Sequence, residues 1–239
     1  VQDGDEYVMN GSKLWITNSQ VADFFTVLAS RDRELGVKGL DFYLVEKGTP
    51  GFVIGKDIKK LGTRGSCCGE VAFEDCRIPL ENRLGEEGTG AKNLMEMLSQ
   101  IRVMTGALGL GLARAAYDAS LNYAKERNAF GRPIAKFQAI QHKLADMAGD
   151  IHTSKLLVYD TAERIEKGER PMTESAMAKL YATEAANRVA DNATRIYGSY
   201  GFAMEYPIQR HYRDARFLLL GGGTSELLRN IIAGGELKK

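Results

Sequence analysis

The sequence predicts segregated β and α domains. A small antiparallel β-barrel or sandwich is expected over residues 1–87, then an up-and-down α domain of four-helix-bundle type over 88–239. Three observations predict this α+β arrangement. Short β-branched and aromatic runs, separated by Gly, Pro or charged turns, fill the first eighty residues. From Ala91 onward, apolar residues recur at a spacing of three to four. Pro79 and the polar stretch LENRLGEEGTG break both patterns, which puts the boundary near Glu87.

In YVMNGSKLWIT, Asn10-Gly11 lies between two apolar runs. It predicts a type I′ hairpin, because both turn positions need positive φ. FFTVLAS, LDFYLVEK, GFVIG and EVAFEDCRIP follow as short strands. The first helix is expected over Ala91–Lys125, with Gly106, Gly109 and Gly111 near its middle. Glycine costs about 1 kcal/mol against alanine in a helix, so close packing must offset it there. The second helix is expected from Pro133, a good first helical residue, to Lys167. Phe137, Ile140, Leu144, Met147 and Ile151 line one of its faces. GERP ends it. The third spans Thr173–Tyr197, where Ala176, Ala178, Ala182, Ala185, Ala186 and Ala190 suit a tightly packed helix. A short fourth starts near Thr224.

Net charge is +1 with 26% charged residues, so no field points to nucleic acid. No apolar run approaches the roughly 20 residues of a membrane-spanning helix. Three cysteines (Cys67, Cys68, Cys76) and three histidines argue against a metal site and for a reduced, intracellular protein. The chain starts at Val1, without an initiator Met, and enters structured sequence at once, so an upstream part is expected.

Four stretches could carry chemistry. In KLWITNS the sole tryptophan, Trp15, is either a core residue or an aromatic wall for a planar ligand, with hydroxyls beside it. In KERNAFGRPIAKFQ, Arg127 and Arg132 either serve an anionic group or flank a solvated interhelical turn. In RIYGSYGF, Gly198 either caps a helix or opens the backbone to a ligand. In LLLGGGTSELLRN the glycines permit close backbone approach, and the free N–H groups of the following helix attract anions or carbonyl oxygens. The alternative there is a hinge with Thr224 as a plain N-cap.

YVMNGSKLWITNS, KLGTRGS…EVAFEDCRIP, ERNAFGRPIAKFQAIQHKLADM, RIYGSYGF…YPIQRHYRDAR and GGTSELLRNII, taken in this order, resemble the acyl-CoA dehydrogenase family over essentially the whole chain. That family adds an N-terminal helical domain and the front of the β domain. The resemblance implies FAD held between the β domain and the helical bundle, in fatty acid metabolism. Trp15, Ile16 and Thr17 would lie against the isoalloxazine, with Thr17 near N5. Arg127, Phe130 and Gln138 would reach the FAD of a neighbouring subunit. Arg195, Ile196, Tyr197, Gly198 and Ser199 match the adenine-end segment, although Arg195 and Ser199 depart from the family's usual residues. Thr224, Ser225 and Glu226 would complete the flavin site. On the substrate side, Ser99, Gln100, Ile101 and Arg102 match the stretch that touches the acyl-CoA, joined by Gly223; Ser99 stands where Asp is usual. The implied partners are an acyl-CoA substrate, electron-transfer flavoprotein and further copies of the chain as a homotetramer, a dimer of dimers. The implied compartment is the bacterial cytoplasm, ahead of the mitochondrial matrix.

The implied reaction removes the α-proton of a CoA thioester while the β-hydrogen leaves as hydride to the flavin. A carboxylate must sit beside the α-carbon to take that proton. Most members carry this Glu immediately before the Gly-Thr, which here is Gly222. A minority carry it directly before the arginine matched by Arg102, which here is Ile101. No catalytic residue is therefore assigned. Glu226 reads as flavin-side or structural, and Asp214 as a structural partner of nearby arginines. Glu96 lies about 140° around the helix from Ile101. Three functions stay open: a dehydrogenase with its base elsewhere, a base-independent member of desulfinase or reductase type, or a non-catalytic FAD- and CoA-binding subunit of an active paralogue.

Overall fold

A computed structural model describes residues 1–238, which form two compact units divided between Glu96 and Met97. The first unit is built on β1 (Gln2–Asp3), β2 (Glu6–Thr17), β3 (Phe24–Ser30), β4 (Leu40–Glu46), β5 (Phe52–Ile54), β6 (Cys68–Pro79) and β7 (Arg83–Leu84). One sheet has the order β1-β2-β6-β5 and the other β3-β4-β7, with every pairing antiparallel. Alternation sends Tyr7 and Met9 of β2, Phe25 and Val27 of β3, and Val71, Phe73 and Ile78 of β6 into one shared core. The Phe25 and Phe52 rings meet edge-on at 4.8 Å, as do Tyr7 and Tyr43 at 4.9 Å. Each such buried aromatic contributes about 1.5–3 kcal/mol.

Asn10-Gly11 does not turn the chain, contrary to the expected hairpin. β2 runs through it because β6 offers a partner of the same 12-residue length. Met9 pairs with Cys76 but Gly11 with Phe73, so β6 carries one extra residue there. Asp75 takes up that extra residue at φ 46°, and it exchanges two 2.9 Å hydrogen bonds with Asn10. The turn-forming chemistry of Asn10 thus stabilises a bulge. A second bulge lies between Lys13 and Ile16, this time on β2, and Trp15 sits in it at φ 65°.

At the end of this unit Asp41, 1% exposed, accepts the Gly88 N–H at 2.6 Å and pairs with Arg31 at 3.2 Å. That anchors the segment leading into α1 (Gly90–Glu126). The second unit continues with a two-stranded pair, β8 (Asn128–Ala129) and β9 (Arg132–Pro133), then α2 (Gln138–Glu166), α3 (Met172–Tyr197), α4 (Ile208–Leu218) and α5 (Ser225–Glu236). Pro133 does not open α2. It ends β9 and precedes a 3₁₀ turn, and the α-helix begins at Gln138. α4 was not anticipated from the sequence. Only Ile208, Ala215 and Leu218 of it are buried, so its apolar signal is thin among charged residues.

α3 is the central helix, and its alanines are fully buried as expected. A Cβ at Gly106 would lie 3.0 Å from the Ala178 carbonyl oxygen, and one at Gly109 would lie 3.0 Å from that of Ala182. These two glycines let α1 and α3 approach backbone to backbone. Gly111 does not take part, since nothing lies within 4 Å of where its Cβ would be.

Candidate functional site

The stretch of α1 matched to substrate binding lies against α3 and the glycine loop. Ser99 and Ser175 are both buried, with their Oγ atoms 2.7 Å apart. Thr105 donates its hydroxyl to the Ile101 carbonyl at 2.8 Å. Gly222 and Gly223 adopt φ of 74° and 108°, a left-handed region in which glycine alone is free of strain. A Cβ on Gly222 would lie 3.4 Å from Thr105 Oγ1 and 3.8 Å from Ile101 Cγ2. The two positions marked for a base are therefore neighbours in space, and neither bears a carboxylate.

Two cations are buried here. Arg102 is 2% exposed, and its Nε and one terminal nitrogen have no hydrogen-bond partner. Burial lowers its pKa. Lys179 on α3 is fully buried, donating to the carbonyls of Gly223 at 2.7 Å and Leu219 at 3.4 Å. It thereby ties the glycine loop to α3. Burial is the main cause that brings its pKa down to about 8; Arg102 adds to the lowering, while Glu184 and Glu226 oppose it. Lys179 was missed in the sequence, although a lysine in phase with buried alanines was a usable signal.

At the start of α5, Thr224 is the N-cap and accepts from the Leu227 N–H at 3.4 Å. The Glu226 carboxyl is held below its usual range by its own backbone N–H, then by the Thr224 hydroxyl. It serves the helix start and makes a poor proton acceptor.

A separate cavity of about 260 Å³ in the same unit is lined by Tyr123, Arg127, Tyr197, Gly198, Ser199 and Tyr200, among others. Arg127 and the glycine-punctuated segment are thus brought together. Tyr197 stacks on Tyr123 at 4.0 Å and donates to the Ala119 carbonyl at 3.1 Å. Ile196 is buried and also borders the cavity, whereas Arg195 is tied to Asp191 at 2.8 Å. Gln138 is exposed at the start of α2, and Phe130 is 96% exposed with φ 54°.

In the first unit Trp15 is 61% exposed, which overturns its reading as a core residue. Ile16 packs against the β core and Thr17 is exposed. An aromatic ring held outward on a left-handed backbone is a costly arrangement of the type that marks ligand sites. In the second unit, the capped helix start at Thr224 and the Arg127 cavity offer N–H groups and a cation suited to an anionic group; in the first unit, taken by itself, the outward Trp15 ring offers an apolar face suited to a planar group. Among the described residues no group of three His, Cys, Asp or Glu could hold a metal ion. No helix among them is long and apolar enough to cross a membrane.

Comparisons with known proteins agree over the full length. The family described as acyl-CoA dehydrogenase, C-terminal domain, matches residues 88–237, and its middle-domain counterpart matches residues 1–76. The chain is 50% identical over 228 residues to benzylmalonyl-CoA dehydrogenase of Aromatoleum aromaticum, covering 95% of this chain and 60% of that protein. It is 46% identical over 238 residues to the mitochondrial short-chain specific acyl-CoA dehydrogenase of Mus musculus, covering 99% and 58%. Among solved structures, butyryl-CoA dehydrogenase from Megasphaera elsdenii superposes with a TM-score of 0.96 at 40% identity, covering 99% of this chain and 62% of that one. The chain spans about 60% of the length of the curated relatives it matches.

Proposed function

Because this chain belongs to the acyl-CoA dehydrogenase family, we propose that it forms the middle and C-terminal parts of an FAD-dependent enzyme oxidising a CoA thioester between its α- and β-carbons. The observation that carries the reading is the adjacency of Gly222 and Ile101, two base positions without a carboxylate. A thioester bearing only hydrogen at the reacting α-position needs a base there. One bearing a carboxyl group does not, because loss of CO2 leaves the same electron pair on the α-carbon. Benzylmalonyl-CoA, in the name of the 50% identical relative, is such a compound. The proposed substrate class is therefore a 2-carboxyacyl-CoA.

In this reaction the bond from the α-carbon to the carboxyl group breaks, CO2 leaves, and the electron pair stays as the thioester enolate. The β-hydrogen departs with its own pair, and the α,β-double bond forms. FAD, when bound, supplies the acceptor for that hydride and takes one proton from solvent. Trp15, Ile16 and Thr17, the helix start at Thr224, Ser225 and Glu226, and the groups Arg127, Phe130, Gln138 and Arg195–Ser199 are the proposed cofactor contacts. Ser99–Arg102 and Gly223 are the proposed thioester contacts, and electron-transfer flavoprotein the proposed oxidant, acting on a homotetramer. A reductase would need an acid at the same vacant spot to deliver the α-proton, so the vacancy weighs equally against that reading.

Anaerobic mixing of the full-length holoprotein with CoA thioesters tests the proposal. A 2-carboxyacyl-CoA with a β-hydrogen is expected to bleach the oxidised flavin with one CO2 released per flavin. Failure of every thioester to bleach it would overturn the oxidation reading and leave the desulfinase-type and non-catalytic readings. Gly222→Glu is expected to gain bleaching by butanoyl-CoA; the left-handed backbone there costs the new side chain about 1–2 kcal/mol.

A further inference from the structure

The space above Gly222 is walled by one hydroxyl and one methyl group. A Cβ placed there would find, among the described residues and its chain neighbours apart, Thr105 Oγ1 at 3.4 Å and Ile101 Cγ2 at 3.8 Å, with nothing else within 4 Å. Thr105 is 8% exposed and sits on a stiff stretch of α1, because Gly106 beside it brings that helix backbone to backbone with α3. Its hydroxyl donates to the Ile101 carbonyl at 2.8 Å. That bond is surplus, since within the α-helix the same carbonyl already takes the Thr105 N–H. Ser120, Ser154, Thr161 and Thr183 make the same backward bond at 2.7–2.8 Å, but they are 0–2% exposed and sealed among packed helices. Thr105 differs in facing the unfilled side-chain position of Gly222.

We propose that the Thr105 hydroxyl receives the carboxylate on the substrate's α-carbon and so sets a preference for 2-carboxyacyl thioesters. This rests on the oxidation reading above. The bond that breaks at the α-carbon must stand perpendicular to the plane of the forming enolate, whether it releases a proton or CO2. A carboxyl group leaving by that route points where a base would otherwise stand, at the Gly222 and Ile101 positions. There the hydroxyl turns about its C–O bond, away from the Ile101 carbonyl and toward the anion. The Ile101 carbonyl keeps its helical bond, and a charge-assisted O–H···O⁻ bond replaces a neutral one. One donor holds the carboxylate in place, while the Ile101 methyl group keeps its other side from water. That balance suits a group that must lose its charge as CO2, since a fully hydrogen-bonded carboxylate would resist leaving.

The test uses the full-length holoprotein, its Thr105→Val and Thr105→Ser variants, and two matched probes. These are benzylmalonyl-CoA and 3-phenylpropanoyl-CoA, which differ only in the α-carboxyl group. Calorimetric affinity and flavin bleaching are measured for each. Thr105→Val keeps the branched shape without the hydroxyl. It is expected to weaken the carboxylated probe by on the order of 10-fold and the plain probe by less than about 2-fold. Thr105→Ser is expected to stay within about 3-fold of the intact protein for both. In turnover of the carboxylated probe, Thr105→Val is expected to raise KM without lowering kcat, because the bond is made to the substrate and lost with CO2. Equal weakening of both probes, or no weakening of either, overturns the proposal. Thr105→Ala gives the same comparison if the Val variant does not fold. Hydroxyl-dependent binding of the carboxylated probe without bleaching would sustain Thr105 and refute the oxidation reading. Bleaching by benzylmalonyl-CoA with its affinity unchanged in Thr105→Val would sustain the oxidation reading and refute the role of Thr105.

Discussion

Two consecutive stretches of α1 meet the same helix, α3, in opposite ways. From Gly106 to Ala116 the contact is apolar, with glycine and alanine set against Ala178, Ala182 and Ala186 at backbone distance. From Ser99 to Thr105 polar groups enter the contact, a serine pair, an unpartnered arginine and, on α3, a buried lysine, alongside Val103, which clusters with Ala178 and Ala182. The first stretch is what a fold needs: small side chains, no polar atoms, close packing. The second holds groups that packing alone would not retain, since well-packed apolar residues often replace buried charges at no cost. Side by side on one helix, they separate residues that packing explains from residues that packing leaves unexplained.

Gly109→Leu should break the comparison most sharply. Its side chain would meet the Ala182 carbonyl, and overpacking of this kind costs about 3 kcal/mol in chemical denaturation. A loss below about 0.5 kcal/mol would mean that α1 yields easily and that the apolar seam is not tight.

Lys179 gives the next effect. Its pKa of about 8 lies below the ordinary lysine value of 10.5, so between those values the unfolded chain binds more protons than the folded one. Stability should therefore rise with pH across that window and fall as pH drops through about 8. The expected span is on the order of 2 kcal/mol, below the ceiling set by 1.36 kcal/mol per pKa unit. Lys179→Met should flatten the rise. An unchanged slope in that variant would assign it to another group.

The smallest effect has the opposite sign. Gly111→Ala meets open space and should stabilise α1 by about 0.5–1 kcal/mol, read as an upward shift in Tm. Two glycines only two positions apart would then answer to the same substitution class with opposite signs.

Much of this architecture was legible. Helical spacing and the alanines of α3 set out the buried helix, because a fully packed face writes itself into local composition. Asn10-Gly11 misled because its role is fixed by a partner strand more than sixty residues away. Local turn chemistry carries no information about that pairing. α4 hid for a related reason, its burial resting on three residues among charged neighbours. The vacancies at Gly222 and Ile101 could be read only through family resemblance, and no periodicity could have revealed that they adjoin. The bareness of Arg102 and the burial of Lys179 are likewise tertiary properties, written in what surrounds the side chain.

The two irregularities in the β2–β6 ladder form a cancelling pair. One strand is a residue long at Asp75 and the other a residue long at Trp15, and the two come back into step so that Glu6 still faces Pro79 and Thr17 still faces Cys68. Length change in this ladder is therefore a coupled variable. Deleting Trp15 alone would leave one offset unmatched and turn either its Ile16 end or its Tyr7 end to the wrong face. Removing Asp75 together with it would restore the count, at the expense of the outward ring. Descendants of this sequence can shorten the ladder only by two compensated steps, and the position of Trp15 is thereby protected by arithmetic alone.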